Sequence, residues 1–153
     1  MKLVTKKQLQ QILDQHGPEP LEKSFTLHCF QKILAKKARA NVKTTLMDQS
    51  VIAGIGNIYA QEALYFAGIS PLRQSGSLSS AEARTLHHHL RRILQEAIEH
   101  HGTTVDNYSN LEGSGGFQNH LAVYQQEKCE KKHELIKIVL GGRGTSYCRI
   151  CQR

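Results

Sequence analysis

A chain of 153 residues with a formal net charge of +7 is long enough for one packed core and a small appendage. No stretch approaches the roughly 18 apolar residues of a membrane helix, and residues 1 to 10 lack the apolar run of a secretory leader. Three of the four cysteines crowd the C-terminus, which suits reduced, metal-binding thiols in an intracellular, cytoplasmic protein better than a disulfide framework.

In chain order, residues 5 to 16 read as a short helix, capped by Thr5 with Leu9, Ile12 and Leu13 on one face, and Gly17-Pro18-Glu19-Pro20 stops it. Residues 24 to 37 predict a second helix with Leu27, Phe30, Ile33 and Leu34 at helical spacing and Cys29 as a plain core residue. A further helix is expected over residues 43 to 49. Between residues 30 and 50 the cations Lys32, Lys36, Lys37, Arg39 and Lys43 face Asp48 alone. The apolar, glycine-punctuated run from Val51 to Gly56 reads as a tight buried turn, after which Asn57 caps a helix to about Phe66, ended by Gly68 and Pro71. Residues 78 to 101 form the clearest helix: Ser79 or Ser80 caps it and Glu82 fits a capping box. Leu86, Leu90, Ile93, Leu94, Ala97 and Ile98 make one apolar stripe. Its histidines (His87, His88, His89, His100, His101) have no regular i, i+4 pair backed by a carboxylate, so solvated or helix-end roles are expected. Residues 110 to 116 read as a flexible loop, 121 to 124 as the beginning of a β segment, and 136 to 140 as a strand that returns through Tyr147.

Two places carry chemistry. At the first, Gly54 and Gly56 let the backbone approach a ligand closely, and the helix starting at Asn57 presents unpaired amides and a positive dipole end, a ready anion site. An ordinary helix–turn–helix corner would show the same pattern. The dinucleotide fingerprint is unmet, since no third glycine follows on a usable spacing and no strand precedes. At the second, Cys129-x3-His133-x14-Cys148-x2-Cys151 has the spacing of two ligand pairs joined by a hairpin, which suits one structural Zn²⁺. His133 stands in for a C-x2-C partner, because position 132 is Lys132. A hairpin held by packing alone, or a disulfide in a secreted chain, is the alternative. Arg143 sits at the tip of that hairpin. Residues 125 to 153 carry seven Lys/Arg against Glu127, Glu130 and Glu134, and two separate basic segments suit a polyanion, though each would also serve as a solvated face.

The segment LMDQSVIAGIGNIYAQEALYFAGISP resembles the helix-two-turn-helix element of the formamidopyrimidine-DNA glycosylase and endonuclease VIII family. GPEPL at 17 to 21 is similar to the family's lead-in to that element, and GGFQNHLAVY and IVLGGRGTSYCRICQ resemble its approach to the zinc finger and the finger itself. The likeness runs collinearly from about residue 17 to the end and favours the formamidopyrimidine branch. It implies a mainly α fold, a helix-two-turn-helix domain followed by a small β-hairpin zinc finger. The expected divisions are a residual linker with a short helix at 1–24, the DNA-binding helices at 25–109, and the loop and finger at 110–153.

By the same resemblance, Lys43, Gly54, Gly56, Asn57 and Tyr124 match phosphate-contacting positions and Arg143 matches the finger arginine that grips the damaged strand. Cys129, His133, Cys148 and Cys151 would hold the zinc, with CEKKH departing from the family's first C-x2-C. The 110–116 loop corresponds to a segment that covers an everted base. The implied partner is double-stranded DNA, damaged or abasic, bound by a monomer. The family's enzymes start Met-Pro-Glu and attack through the proline amine, whereas this sequence starts Met1-Lys2-Leu3-Val4. No catalytic residue is therefore expected in this chain, and a separate catalytic N-terminal half would supply the excision of oxidised purines. The competing readings are a stand-alone, non-catalytic module for nicked or abasic DNA, and a zinc-ribbon adaptor for protein or RNA.

Overall fold

The computed structural model describes residues 4–101 and 116–153, so most of the expected loop at 110–116 lies outside the described residues. Helices α1 (Lys6–Asp14), α2 (Leu27–Lys36), α3 (Val42–Met47), α4 (Asn57–Ala67) and α5 (Ser80–Glu99) precede a hairpin of β1 (Ile136–Leu140) and β2 (Arg143–Tyr147). Four helices begin where a side chain can accept from a first-turn amide. Thr5 Oγ1 accepts from the Gln8 amide (3.2 Å) at the start of α1, as the sequence predicts. Thr26 caps α2, Asn41 caps α3, and Ser79 with Glu82 forms a reciprocal capping box on α5. Because Thr26 and Asn41 take the caps, α2 starts later and α3 slightly earlier than the periodicity suggests.

Helix α4 breaks that pattern. Its N-cap is Gly56, with no side-chain cap bond, and Asn57 is the first residue inside the helix rather than its cap. Gly68 ends it in the left-handed conformation, as expected of a helix-stopping glycine. The helix is buried almost all round: Ala60, Ala63 and Leu64 pack into the core with Phe25, Phe30, Leu46, Ile52 and Ile55. Leu86, Leu90, Ile93, Leu94 and Ala97 of α5 close that core from the other side.

Several expectations need correction. Ile98 stays 61% exposed: twelve residues beyond Leu86, at about 100° per residue, it has rotated off the buried face. His87 is neither solvated nor at a helix end, because its ring stacks on Phe25 at 5.2 Å and its Nε2 lies 2.8 Å from the Phe25 carbonyl. Leu9 and Ile12 of α1 do share a face, but they remain 48% and 45% exposed. Residues 121 to 124 form no strand. The amides of Ala122, Val123 and Tyr124 point at the Glu62 side chain of α4 instead of a neighbouring strand.

The hairpin follows its sequence closely. Gly141 and Gly142 both have positive φ (60° and 73°) and join β1 to β2 with Leu140 paired to Arg143, the two-residue turn whose twist matches the strands. Its tip rests on α3, where a Cβ on Gly141 would meet the Thr44 Cγ2 at 2.8 Å. The end of the chain is tied back as well. Gln152 donates to the Ile69 carbonyl (3.0 Å), and Arg153 exchanges backbone bonds with Gly68 and Ser70.

Candidate nucleic-acid interface and metal cluster

One edge of α4 organises the functional region, because residues three, four and seven apart on a helix stack on one face. Asn57 Nδ2 donates to the Gly144 carbonyl (3.2 Å), and Gln61 Nε2 donates to the same oxygen (3.1 Å) while Gln61 Oε1 accepts from the Ser146 amide (2.8 Å). Glu62 accepts from the amides of Ala122, Val123 and Tyr124 at 2.7, 2.9 and 2.8 Å. Tyr65, one turn on, packs with Cys129 and Cys148 in a buried cluster. This column of polar groups fixes the finger against the helices.

Gln61 and Glu62 were invisible as functional residues in the sequence. Their only signal is two adjacent polar residues inside the otherwise apolar run from Ile58 to Leu64. Glu62 is 1% exposed, and burial pushes its carboxyl above the usual carboxylate range, although the three amides favour the charged form.

A groove of about 590 Å³ opens between α4, the 121–126 loop and the hairpin. Asn57, Tyr124 and Arg143 all line it, so three of the six expected contact residues converge on one surface. Lys43 does not line it. Its side chain is fully buried beneath, with Nζ donating to Asn57 Oδ1 and Thr145 Oγ1 at 2.7 Å each. Burial, and then the nearby Arg143 guanidinium, lower the Lys43 pKa from 10.5 to about 8. No carboxylate among the described residues pairs with Lys43 or Arg143.

The glycine turn leads into the groove rather than walling it. Gly54 has φ +90° and its amide already donates to Gln49 Oε1 (2.8 Å); its outer side borders a separate apolar cavity with Tyr59 and Leu94. Gly56 is different. A Cβ built on either glycine meets nothing within 4 Å, but among the described residues none accepts from the amides of Gly56 and Asn57. The start of α4 is thus open to an outside acceptor, with the positive end of an 11-residue helix behind it.

The four expected metal ligands come together. The ligand atoms of Cys129, His133, Cys148 and Cys151 all lie within 4.8 Å of one another. His133 Nδ1 is 3.3 Å from the Cys151 sulfur and 3.6 Å from the Cys148 sulfur. Around a tetrahedral ion with bonds of about 2.0–2.3 Å, ligand atoms stand about 3.5–3.8 Å apart, so the donor set fits a structural metal. Both knuckles are preformed: Lys132 takes φ 68° as the chain turns from Cys129 to His133, and the Cys151 amide lies 3.4 Å from the Cys148 sulfur. Among the described residues no α5 histidine joins a metal group.

Residues 16–109 match the family profile of the formamidopyrimidine-DNA glycosylase H2TH domain. The chain belongs to the formamidopyrimidine-DNA glycosylase family. It is 45% identical over 144 residues to the formamidopyrimidine-DNA glycosylase of Shouchella clausii, covering 92% of this chain and 52% of that protein. The Bacillus subtilis glycosylase gives the same figures, 45% identity with coverage of 92% and 52%. The chain therefore spans about half the length of the curated relatives it matches. Among solved structures, the MutM (Fpg) protein from Thermus thermophilus superposes with a TM-score of 0.87 at 39% identity, covering 96% of this chain and 57% of that one. A complex between Lactococcus lactis Fpg and an abasic-site DNA gives 0.87 at 35% identity, with coverage of 98% and 57%. The glycosylase-family fold is thus helical with a small C-terminal hairpin and Cys/His cluster, as the resemblance implied. Among the described residues no helix is long and apolar enough to cross a membrane.

Proposed function

We propose that this chain is the DNA-holding part of a formamidopyrimidine-DNA glycosylase/AP lyase, gripping one strand of damaged or abasic duplex by its phosphates. The observation that carries this reading is the convergence of the uncapped start of α4 with Asn57, Tyr124 and Arg143 on one cationic groove. Phosphodiester oxygens are acceptor-only, singly charged and regularly spaced, which is what such a row of donors selects. Lys43 sits one layer deeper than the other contacts and supports Asn57 from below. The metal held by Cys129, His133, Cys148 and Cys151 is Zn²⁺ in this reading, and it braces the hairpin that presents Arg143.

Binding to a duplex carrying a tetrahydrofuran abasic analogue tests the proposal directly. With about four phosphate contacts, log Kd against log salt is expected to have a slope of magnitude about 4, and Arg143→Ala to reduce it by about 1. Fluorescence anisotropy across a salt series measures both, and affinity indifferent to salt would remove the reading. Base chemistry is assigned elsewhere. Lys137 in the groove wall is ion-paired with Glu127, and the desolvated amine of Lys43 lies beneath the groove, its Nζ bonded to Asn57 and Thr145 rather than presented to a sugar carbon. Borohydride reduction in the presence of abasic duplex is accordingly expected to trap no covalent adduct on this chain. A trapped Schiff base would make it an enzyme in its own right.

A further inference from the structure

Lys43 is an unusual group to bury. It lies under the floor of the groove, its ammonium held by two neutral acceptors, Asn57 Oδ1 on α4 and Thr145 Oγ1 on β2. Burying an unpaired charge is costly unless a counter-charge arrives. The groups facing it are Asn57 from α4, and Arg143 and Thr145 from β2. Within α3 no residue is acidic, and Asp48 beyond it is committed to Lys37 at 3.6 Å. Tyr124 and Lys137 line the groove above. The guanidinium of Arg143 repels the ammonium, and among the described residues no carboxylate offsets either.

We propose that Lys43 is a positioning residue that makes phosphate binding proton-linked: an anion in the groove holds the buried ammonium charged, and loss of its proton loosens the grip. This rests on the groove being the phosphate site proposed above. The free protein has every electrostatic reason to shed the proton, and a phosphate beside Arg143 reverses that balance. The ordinary lysine pKa of 10.5 is lowered to about 8 in the free protein, so the linkage falls within an accessible pH range. Lys43 thereby differs from the exposed lysines on α2, whose charge is already compensated by water.

The sign of the effect separates it from simple alkaline unfolding. A lysine whose folded-state pKa is depressed binds fewer protons folded than unfolded between pH about 8 and 10.5. Its contribution to the stability of the free protein therefore rises with pH over that window. DNA affinity should move the opposite way.

The experiment uses the full chain, metal loaded, with the tetrahydrofuran duplex at constant ionic strength. From pH 7.5 to 9.5 affinity is expected to fall between about 5-fold and 20-fold, the upper figure applying if phosphate returns Lys43 to its ordinary pKa. Calorimetry at pH 9 in two buffers of different ionisation enthalpy should show uptake approaching one proton per duplex. Lys43→Met, checked for helicity and metal content, should bind more weakly at pH 7.5 with a flattened pH profile. A flat wild-type profile without proton uptake overturns the inference, as does a Lys43→Met protein that keeps the wild-type slope. Should Lys43→Met fail to fold, the wild-type proton count decides by itself. Absence of binding at every pH would instead remove the DNA reading and this inference with it; salt-dependent binding that ignores pH removes this inference alone.

Discussion

Replacing Cys148 by serine is expected to empty the finger of metal and abolish tight DNA binding while leaving the helical core folded. Cys148 is fully buried at the end of β2 and starts the second ligand pair. Structural zinc contributes roughly 10–16 kcal/mol of apparent binding free energy in small fingers, and a hairpin of two five-residue strands has no comparable core of its own. Without the metal, Arg143 and Tyr124 lose their fixed positions above Asn57. At about 1–3 kcal/mol for each lost contact, affinity should drop by about 100-fold or more. The core of α2 to α5 does not depend on the ion, since Phe30, Leu64, Leu86 and Leu90 pack among themselves. Elemental analysis, the helical circular-dichroism signal and anisotropy measure the three quantities separately. A variant that keeps one metal per chain and full affinity, or one whose helices melt with the finger, contradicts this assignment.

Glu62→Leu is expected to be the most destabilising single change outside the hydrophobic core. It would strand the amides of Ala122, Val123 and Tyr124, which have no other partner among the described residues. Each buried unsatisfied donor costs about 1–3 kcal/mol, so urea denaturation should report a loss of roughly 3–5 kcal/mol after partial rescue by water. The distribution of bonds grades the series. Glu62 Oε1 takes Val123 and Tyr124, and Oε2 takes Ala122, so Glu62→Gln can keep two acceptor bonds and set its NH₂ against one amide. Its loss should be less than half that of Glu62→Leu. Both variants should displace Tyr124 and weaken DNA binding, Glu62→Leu more. Equal stability of the two variants would show that the carboxylate, rather than its acceptor geometry, matters.

The helices and the two chemical sites were legible because each depends on local rules. Ser79 and Glu82 spell a capping box, and the Cys/His spacing specifies a metal knuckle whatever surrounds it. Where local patterning was trusted too far, a distant partner had prevailed. Residues 121 to 124 look like a strand, but a strand needs another chain segment to pair with, and Glu62, some sixty residues earlier, takes those amides. Asn57 looks like a cap, yet its side chain is claimed by Lys43 and Gly144, leaving the helix start to a glycine.

By itself, then, the sequence determined which segments are helical, that four soft ligands could meet, and that cationic and glycine-rich segments flank them. Only the tertiary structure decided that Lys43 lies beneath the groove instead of in it, that Gly54 spends its amide on Gln49, and that one edge of α4 holds the finger in place. The Gly54 bond spans only 5 positions, but the burial of Lys43 depends on contacts across 14 and 102 positions of sequence. Spacing rules describe neighbours on one element; which buried polar group finds which partner is settled by the packing of the whole chain.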